Sequence, residues 1–470
     1  MVVPAGASRQ SPRSISNMIA PQTSDLPDSG GRSDFLWVWG QFLDHDLSLT
    51  LVGDEPFPVS VPLNDLFFDP FGTGSQELAF HRSESAPGTG STPTNPREFR
   101  NMITAFVDGS QVYGSDQVRA DALRSFHGGL LRTSDGEFPP LNTDNLPMDT
   151  VGPQEPTSVF LCGDVRANEN VALLSLHTLF VREHNHWARR LTKQFPSWTD
   201  EELYQMARKI VGAELQVVTY NHFLPSLLGQ GALPSYQGYD PTIDPSIDVL
   251  FSTAGFRIGH TMVSPTFLRL GADGQPIAEG NLELRDGFFR PDLLVDEGGV
   301  DPVIRGLAVD TMQAVDTRVI DDLRNFLFGP PGAGGMDLLS LNIQRGRDHG
   351  LTDYNTVRVT FGLPAVTQFS EITSDLNQQQ ALAVAYGNVD DIDAWAGLLS
   401  EDHLPGSVTG PTVAAILIDQ FTRLRDGDRF FYLNDPDLVD YVPYLEQLTL
   451  SQIIARNSGV ELQDDVFFTP

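Results

Sequence analysis

The sequence predicts a mainly α-helical protein: one large domain with long ordered loops and little β-structure. Three observations predict it. Apolar residues recur at helical spacing in several long segments. Strand-like patterns are few and short. No composition shift or internal repeat divides the 470 residues. Length alone would allow roughly three domains of about 150 residues. Without a linker-like break, the reading is an N-terminal arm, residues 1–33, and a single domain over residues 34–470.

The elements follow in chain order. Pro21–Ser33 is a loop within the arm. The apolar run Phe35-Leu36-Trp37-Val38-Trp39 leads into Gln41-Phe42-Leu43-Asp44-His45-Asp46 and reads as a helix with a charged end. Ser83–Pro96, Pro139–Pro156, Gly229–Pro245 and Gly329–Gly335 are rich in Pro, Gly and Ser and read as loops. Leu173, Leu176, Phe180, Trp187 and Leu191 fall on one face of a long helix. Thr199-Asp200-Glu201-Glu202 is a capping box, and Leu203, Met206, Ile210 and Val217 continue at helical spacing. Thr266–Arg269 and Leu282–Leu284 are the candidate strands. Thr317–Phe328, Glu371–Tyr386 and Pro411–Arg425 read as helices.

Composition excludes several function classes. The chain has 62 acidic and 30 basic side chains, a net charge of −32, and its only lysines are Lys193 and Lys209. Nucleic-acid binding needs clustered Lys and Arg and is excluded; docking on anionic lipid is disfavoured for the same reason. One cysteine, Cys162, rules out a disulfide scaffold and a Cys-rich metal site. Forty per cent hydrophobic residues, 29 of all residues being Phe, suffice for a large core. No run of about 18 apolar residues exists, so no membrane span is expected. Met1-Val2-Val3-Pro4-Ala5-Gly6 lacks a charged n-region and an apolar h-region, so no signal peptide is expected in this chain.

Five segments carry candidate chemistry. His45 sits between two carboxylates, which would raise its pKa unless a cation, a covalent bond or distance neutralises them. Gly163–Asn170 precedes the long helix that holds His177, Arg182, Glu183, His184 and His186. His184 and His186 are two apart and do not share a helix face, and no His-Glu-x-x-His pattern occurs. In Phe256–Thr261, Gly259 lets a large planar group approach the backbone beside His260. Leu341–Gly350 is dense in polar groups after an apolar stretch and reads as a buried network. Thr104, Asp108 and Ser110 present alternating oxygens able to wrap a hard cation. Taken singly, each also fits a plain structural role: a solvated helix end, an ion-pair network or a turn.

In this order and spacing the segments resemble the animal-type haem peroxidase family of the peroxidase–cyclooxygenase superfamily. The resemblance runs from Ser11-Pro12-Arg13 to Phe467 and includes Gly397–Glu401 and Gln420–Phe430. It implies haem b as cofactor, hydrogen peroxide as oxidant, and halide, pseudohalide or phenolic donors. It makes His45 the distal histidine, Gln41 the distal glutamine and Arg166 the distal arginine. It makes His260 the iron ligand and Asn342 the acceptor for its second ring nitrogen. Arg257 and Arg345 match positions near the propionates and proximal side. Asp44 and Glu169 match carboxylates that form esters with haem methyl groups. Asp46, Thr104, the Phe106 carbonyl, Asp108 and Ser110 match calcium ligands. With Asp46 on calcium and Asp44 esterified, neither would act as a free anion beside His45.

Departures sharpen the expectation. Some members carry a methionine directly after the ester-forming glutamate, joined to haem as a sulfonium; here that residue is Asn170, which has no thioether. Bromide, iodide and thiocyanate oxidation is therefore expected, rather than chloride. Animal members are stitched by disulfides, so a single cysteine points to a bacterial member. A fatty-acid oxygenase would place a radical tyrosine three residues before the iron ligand, where this chain has Arg257. A peroxidase-like adhesion module would have lost the residues that are present here. Calcium use and toxic products suggest work outside the cell; the sequence leaves the oligomeric state open, a monomer being compatible with it.

Overall fold

A computed structural model describes residues 3–151 and 155–470. Met1, Val2 and part of the expected Pro139–Pro156 loop lie outside the described residues.

The aromatic helix Phe35–Leu47 lies at the centre, buried on every side through Phe35, Leu36, Trp37, Val38 and Trp39. A helix that is apolar all round must be enclosed by others. Its main partner is Val171–Gln194, where Phe180 packs on Trp39 and stacks on Phe42 with ring centroids 5.8 and 5.2 Å away. Leu173, Leu176, Phe180, Trp187 and Leu191 are all buried, as the spacing predicts. The next helix, Asp200–Val218, packs back against it. Thr199 and Glu202 form the expected reciprocal cap: Glu202 Oε2 accepts from Thr199 N at 2.7 Å, and Thr199 Oγ1 accepts from Glu202 N at 3.3 Å. One wide turn of π-helix, Thr219–Phe223, then carries the chain into Leu224–Leu228 and places Phe223 against Gly40.

β-structure is sparse: among the described residues the strands form three two-stranded antiparallel ladders. Thr266–Phe267 pairs with Leu282–Glu283, inside the two candidate stretches but shorter than either. Pro411–Asp426 is helical as expected. Thr317–Phe328 is not one helix. Only Asp321–Arg324 is helical, because Thr317 and Val319 bond instead to Ile19 and Ala20, and Asn325 ends the turn. The expected helix from Glu371 starts at Leu376, where Asp375 accepts from Asn377 N and Gln378 N and so fixes the start.

Residues 12–19 form a helix docked against Leu338–Asp348 and Leu376–Tyr386. Arg13, 1% exposed, bonds Asp65 at 2.7 Å, Asp337 at 2.9 Å and Asn325 Oδ1 at 2.8 Å. Asp337 also caps Leu338–Asp348, the helix that carries Asn342 and Arg345. Removing one partner of such a buried pair typically costs about 3–5 kcal/mol. The N-terminal segment thus braces one wall of the site.

Candidate active site

A cavity of about 310 Å³ opens between the Phe35–Leu47 helix, the 166–170 turn and the 256–263 turn. Gln41, Asp44 and His45 face it together because i, i+3 and i+4 share a helix face. Arg166, Glu169, Asn170, Arg257 and His260 join them on the wall, with Phe223, Phe288, Phe328, Leu338 and Leu341 among its apolar lining.

Asp164 shapes the Arg166 turn. One carboxylate oxygen accepts from Arg166 N and Nε, both at 2.8 Å, and the other accepts from Nη2 at 2.9 Å. Burial works to raise the Asp164 carboxyl, but the Arg166 charge and its hydrogen bonds outweigh it and hold it below the usual carboxylate range. Arg166 in turn is held firmly charged, since Asp164 overcomes the burial that opposes it. Its Nη1 reaches Asp44 Oδ2 at 3.3 Å and its Nη2 the Ser48 carbonyl at 2.9 Å.

His45 is 3% exposed and stays neutral: burial first, then Arg166, depresses its pKa well below the usual imidazole value. The flanking carboxylates do not govern it. Asp44 turns to Arg166 and Ser48, and Asp46 turns away into the 104–110 loop. The carboxylate that does face His45 is Asp164, with Oδ1 3.6 Å from Nδ1.

In the 104–110 loop, Asp46 accepts from the backbone N of Asp108, Gly109 and Ser110 at 3.0, 3.1 and 2.6 Å. The Thr104 hydroxyl lies 3.1 Å from Asp108 Oδ1 and 3.4 Å from the Phe106 carbonyl, the Asp46 carbonyl and Ser110 Oγ. One hydroxyl proton cannot serve four oxygens. Burial, with Asp108 nearby, pushes Asp46 up to about 8, and burial raises Asp108 too. The five sequence-selected residues do converge, and their crowded oxygens fit a hard cation.

His260 sits in the short turn Gly255–Thr261, and burial followed by the Arg257 charge lowers it to about 3. Its Nδ1 meets the Asn342 amide at 2.8 Å. As placed, Asn342 Nδ2 faces the ring and Oδ1 accepts from Arg257 Nη1 at 3.3 Å. Metal ligation through Nε2 needs a proton on Nδ1, and therefore the amide oxygen toward the ring. The acceptor role read from the sequence thus requires the amide to turn over and give up its Arg257 bond. No described residue comes within 4 Å of where a Cβ on Gly259 would point, so a flat group can approach the backbone there.

Arg345 does not line the cavity. Its Nη1 is bonded to Ser83 Oγ at 2.8 Å and Asp348 at 3.0 Å, behind Arg257. Burial and the Arg257 charge lower it to about 10. Glu169 lines the cavity, and burial raises it to about 7. Burial also raises Asp44. Asn170 has two roles that the sequence reading left out. It caps Val171–Gln194 through Leu173 N, and its Nδ2 donates to Gln41 Oε1 at 3.0 Å. The cap was legible, because an Asn preceding a helical apolar pattern is a standard N-cap. The Asp164 clamp was not, since its target is set by the turn.

Two histidine-bearing walls enclose one cavity in a helical frame, and the residues that line it fit a planar prosthetic group. The chain belongs to the animal haem peroxidase family, whose model matches residues 2–467. Peroxinectin A of Dictyostelium discoideum is 37% identical over 96% of this chain and 86% of its own length. The human peroxidasin homolog is 38% identical over 97% of this chain but only 34% of its own length, so the chain spans about a third of that relative. The solved structure of peroxidase A from Dictyostelium discoideum superimposes with a TM-score of 0.93 at 35% identity, covering 98% of this chain and 92% of that one. Rice fatty acid alpha-dioxygenase shares the fold, with a TM-score of 0.79 at 19% identity. The family is an oxidoreductase family, and its cofactor is haem. No helix among the described residues is long and apolar enough to cross a membrane.

Proposed function

We propose that this enzyme uses hydrogen peroxide to oxidise bromide, iodide and thiocyanate, and phenolic donors by one-electron steps. The observation that supports the reading best is a neutral His45 on the cavity wall beside a clamped, charged Arg166. His260, with Asn342 behind it, would hold the iron, and Asp44 and Glu169 would form the esters. Bound haem supplies the metal centre that takes up the oxidising equivalents. His45 Nε2 accepts the proton from one peroxide oxygen and returns it to the other, as base and then acid. Arg166 stabilises the negative charge that develops as the O–O bond opens. Gln41, oriented by Asn170, faces the donor side of this site.

Calcium at Asp46, Thr104, the Phe106 carbonyl, Asp108 and Ser110 would relieve the buried carboxylate pair and pin the end of the helix that carries His45. Asn170 in place of a thioether rules out a sulfonium link and leaves chloride the poorest halide. Arg257, three residues before His260, argues against a tyrosyl-radical fatty-acid oxygenase. Calcium use and reactive products favour work outside the cell, and the single cysteine favours a bacterial member. The test is a panel of chloride, bromide, iodide, thiocyanate and guaiacol with hydrogen peroxide on haem-loaded protein. Turnover of bromide, iodide and thiocyanate with little of chloride is the expected result; robust chloride turnover near neutral pH would overturn the specificity. Acid–acetone extraction should leave haem on the protein if the esters form.

A further inference from the structure

Behind His45 lies a group of buried polar atoms that make no well-formed hydrogen bond among the described residues. His45 Nδ1 has none, and Asp164 Oδ1 at 3.6 Å is too far for a hydrogen bond. His177, on the Val171–Gln194 helix and 1% exposed, makes no well-formed hydrogen bond through either ring nitrogen, although the Gln111 carbonyl lies close enough to favour a ring N–H. Its ring meets Phe42 edge-on at 4.9 Å and faces His45 at 6.4 Å. Gln111 is fully buried, its carbonyl accepts from Asp164 N, and both atoms of its side-chain amide are unpartnered. That makes five buried side-chain atoms on three residues without a well-formed hydrogen bond.

Buried polar atoms are nearly always satisfied, by protein or by ordered water. Rings 6.4 Å apart are beyond a direct bond even with nitrogens turned inward, yet within the span of one bridging water. A dry apolar void would not be lined this way. The chemistry makes the water consequential. For Nε2 to act as base, the His45 proton must reside on Nδ1, and an Nδ1–H needs an acceptor. Asp164 cannot serve directly at its distance and is already committed to three Arg166 donors.

We propose that an ordered water bridges His45 Nδ1 and His177, and that His177 is a positioning residue which holds this water and so fixes the His45 tautomer. The inference rests on the reading of His45 as the proton-accepting base. His177 touches neither peroxide nor cofactor and acts only through His45. The water accepts from His45 Nδ1–H and donates to the unprotonated nitrogen of His177 or to Asp164.

A crystal structure of the haem-loaded protein at better than 2 Å should show a water within 3.2 Å of both His45 Nδ1 and one His177 nitrogen, about the limit for such a bond; a dry gap there overturns the proposal. By stopped-flow, His177→Leu should react with hydrogen peroxide about 10- to 100-fold more slowly, with KM for bromide unchanged, as expected for loss of proton transfer by the base. His177→Gln, which can still hold water, should recover most of that loss. If His177→Leu does not fold, the water position and the His177→Gln rate carry the test. A Gln variant as slow as the Leu variant, or a Leu variant as fast as the parent, overturns the proposal. His45→Leu separates the two readings. A lost rate there with an unaffected His177→Leu sinks only the positioning role; an unaffected His45→Leu sinks the base itself.

Discussion

The wall that carries His45 and the wall that carries His260 are built on opposite plans. Around His45 stand Asp44, Asp164, Arg166 and Glu169, with the Asp46–Asp108 pair just behind. Around His260 the polar groups are Arg257 and Asn342, set among Phe256, Ile258, Met262, Val263, Leu338 and Leu341. Both histidines are kept neutral by burial with an arginine nearby. On the proposed reading the first wall manages protons and developing charge, which calls for tunable groups. The second then has one bond to hold, for which an imidazole, an amide and an apolar packing suffice.

That contrast predicts effects of different kind. The largest is His260→Ala, which should abolish stable haem binding, read by titrating apoprotein with haem and following the Soret band. Retained stoichiometric binding would break the assignment of this wall as the anchor. Next, His45→Leu should bind haem normally yet react with peroxide about 10²- to 10⁴-fold more slowly, the usual worth of a general acid–base group. Third, removing the proposed calcium by chelation should depress activity and lower the melting temperature, because the buried Asp46 and Asp108 would then face each other unscreened. Metal loss with unchanged kinetics and unchanged melting would separate the 104–110 loop from the chemistry.

The smallest effect is on stability. His184, fully buried between Tyr113 and the Gly129 carbonyl, is lowered to about 4, chiefly by burial and against the pull of that carbonyl. The unfolded chain therefore binds more protons than the native one between pH 6.5 and 4. Stability is full above that window and falls as pH drops through it. The denaturation midpoint should decline from pH 7.5 to 5, and His184→Gln should flatten the slope. An unchanged slope in that variant would assign the acid sensitivity to other groups, such as His177.

Much of this was legible along the chain. The Thr199 capping box and the apolar face from Leu173 to Leu191 appear as written, since caps and periodicity depend on residues within a few positions. Convergence of Asp46 with Thr104–Ser110 was accessible only through the resemblance, because 58 or more residues separate the partners. Thr317–Phe328 misled for the same reason in reverse: its local pattern is helical, and bonds to Ile19 and Ala20 override it.

By itself the sequence determined the helical class, the acidic charge and the family, and it singled out Gln41, Asp44, His45, Arg166, Glu169, Arg257 and His260, which line one cavity. These are local or cumulative properties of residue order. Only the tertiary structure decided that Asp164 rather than Asp44 or Asp46 faces His45, that Asn170 both caps a helix and bonds Gln41, that Arg345 is tied to Ser83 and Asp348 off the cavity wall, and that the His177 ring lies 6.4 Å from His45. Each depends on a distance between atoms far apart in the chain, fixed by packing of whole helices and invisible to spacing alone.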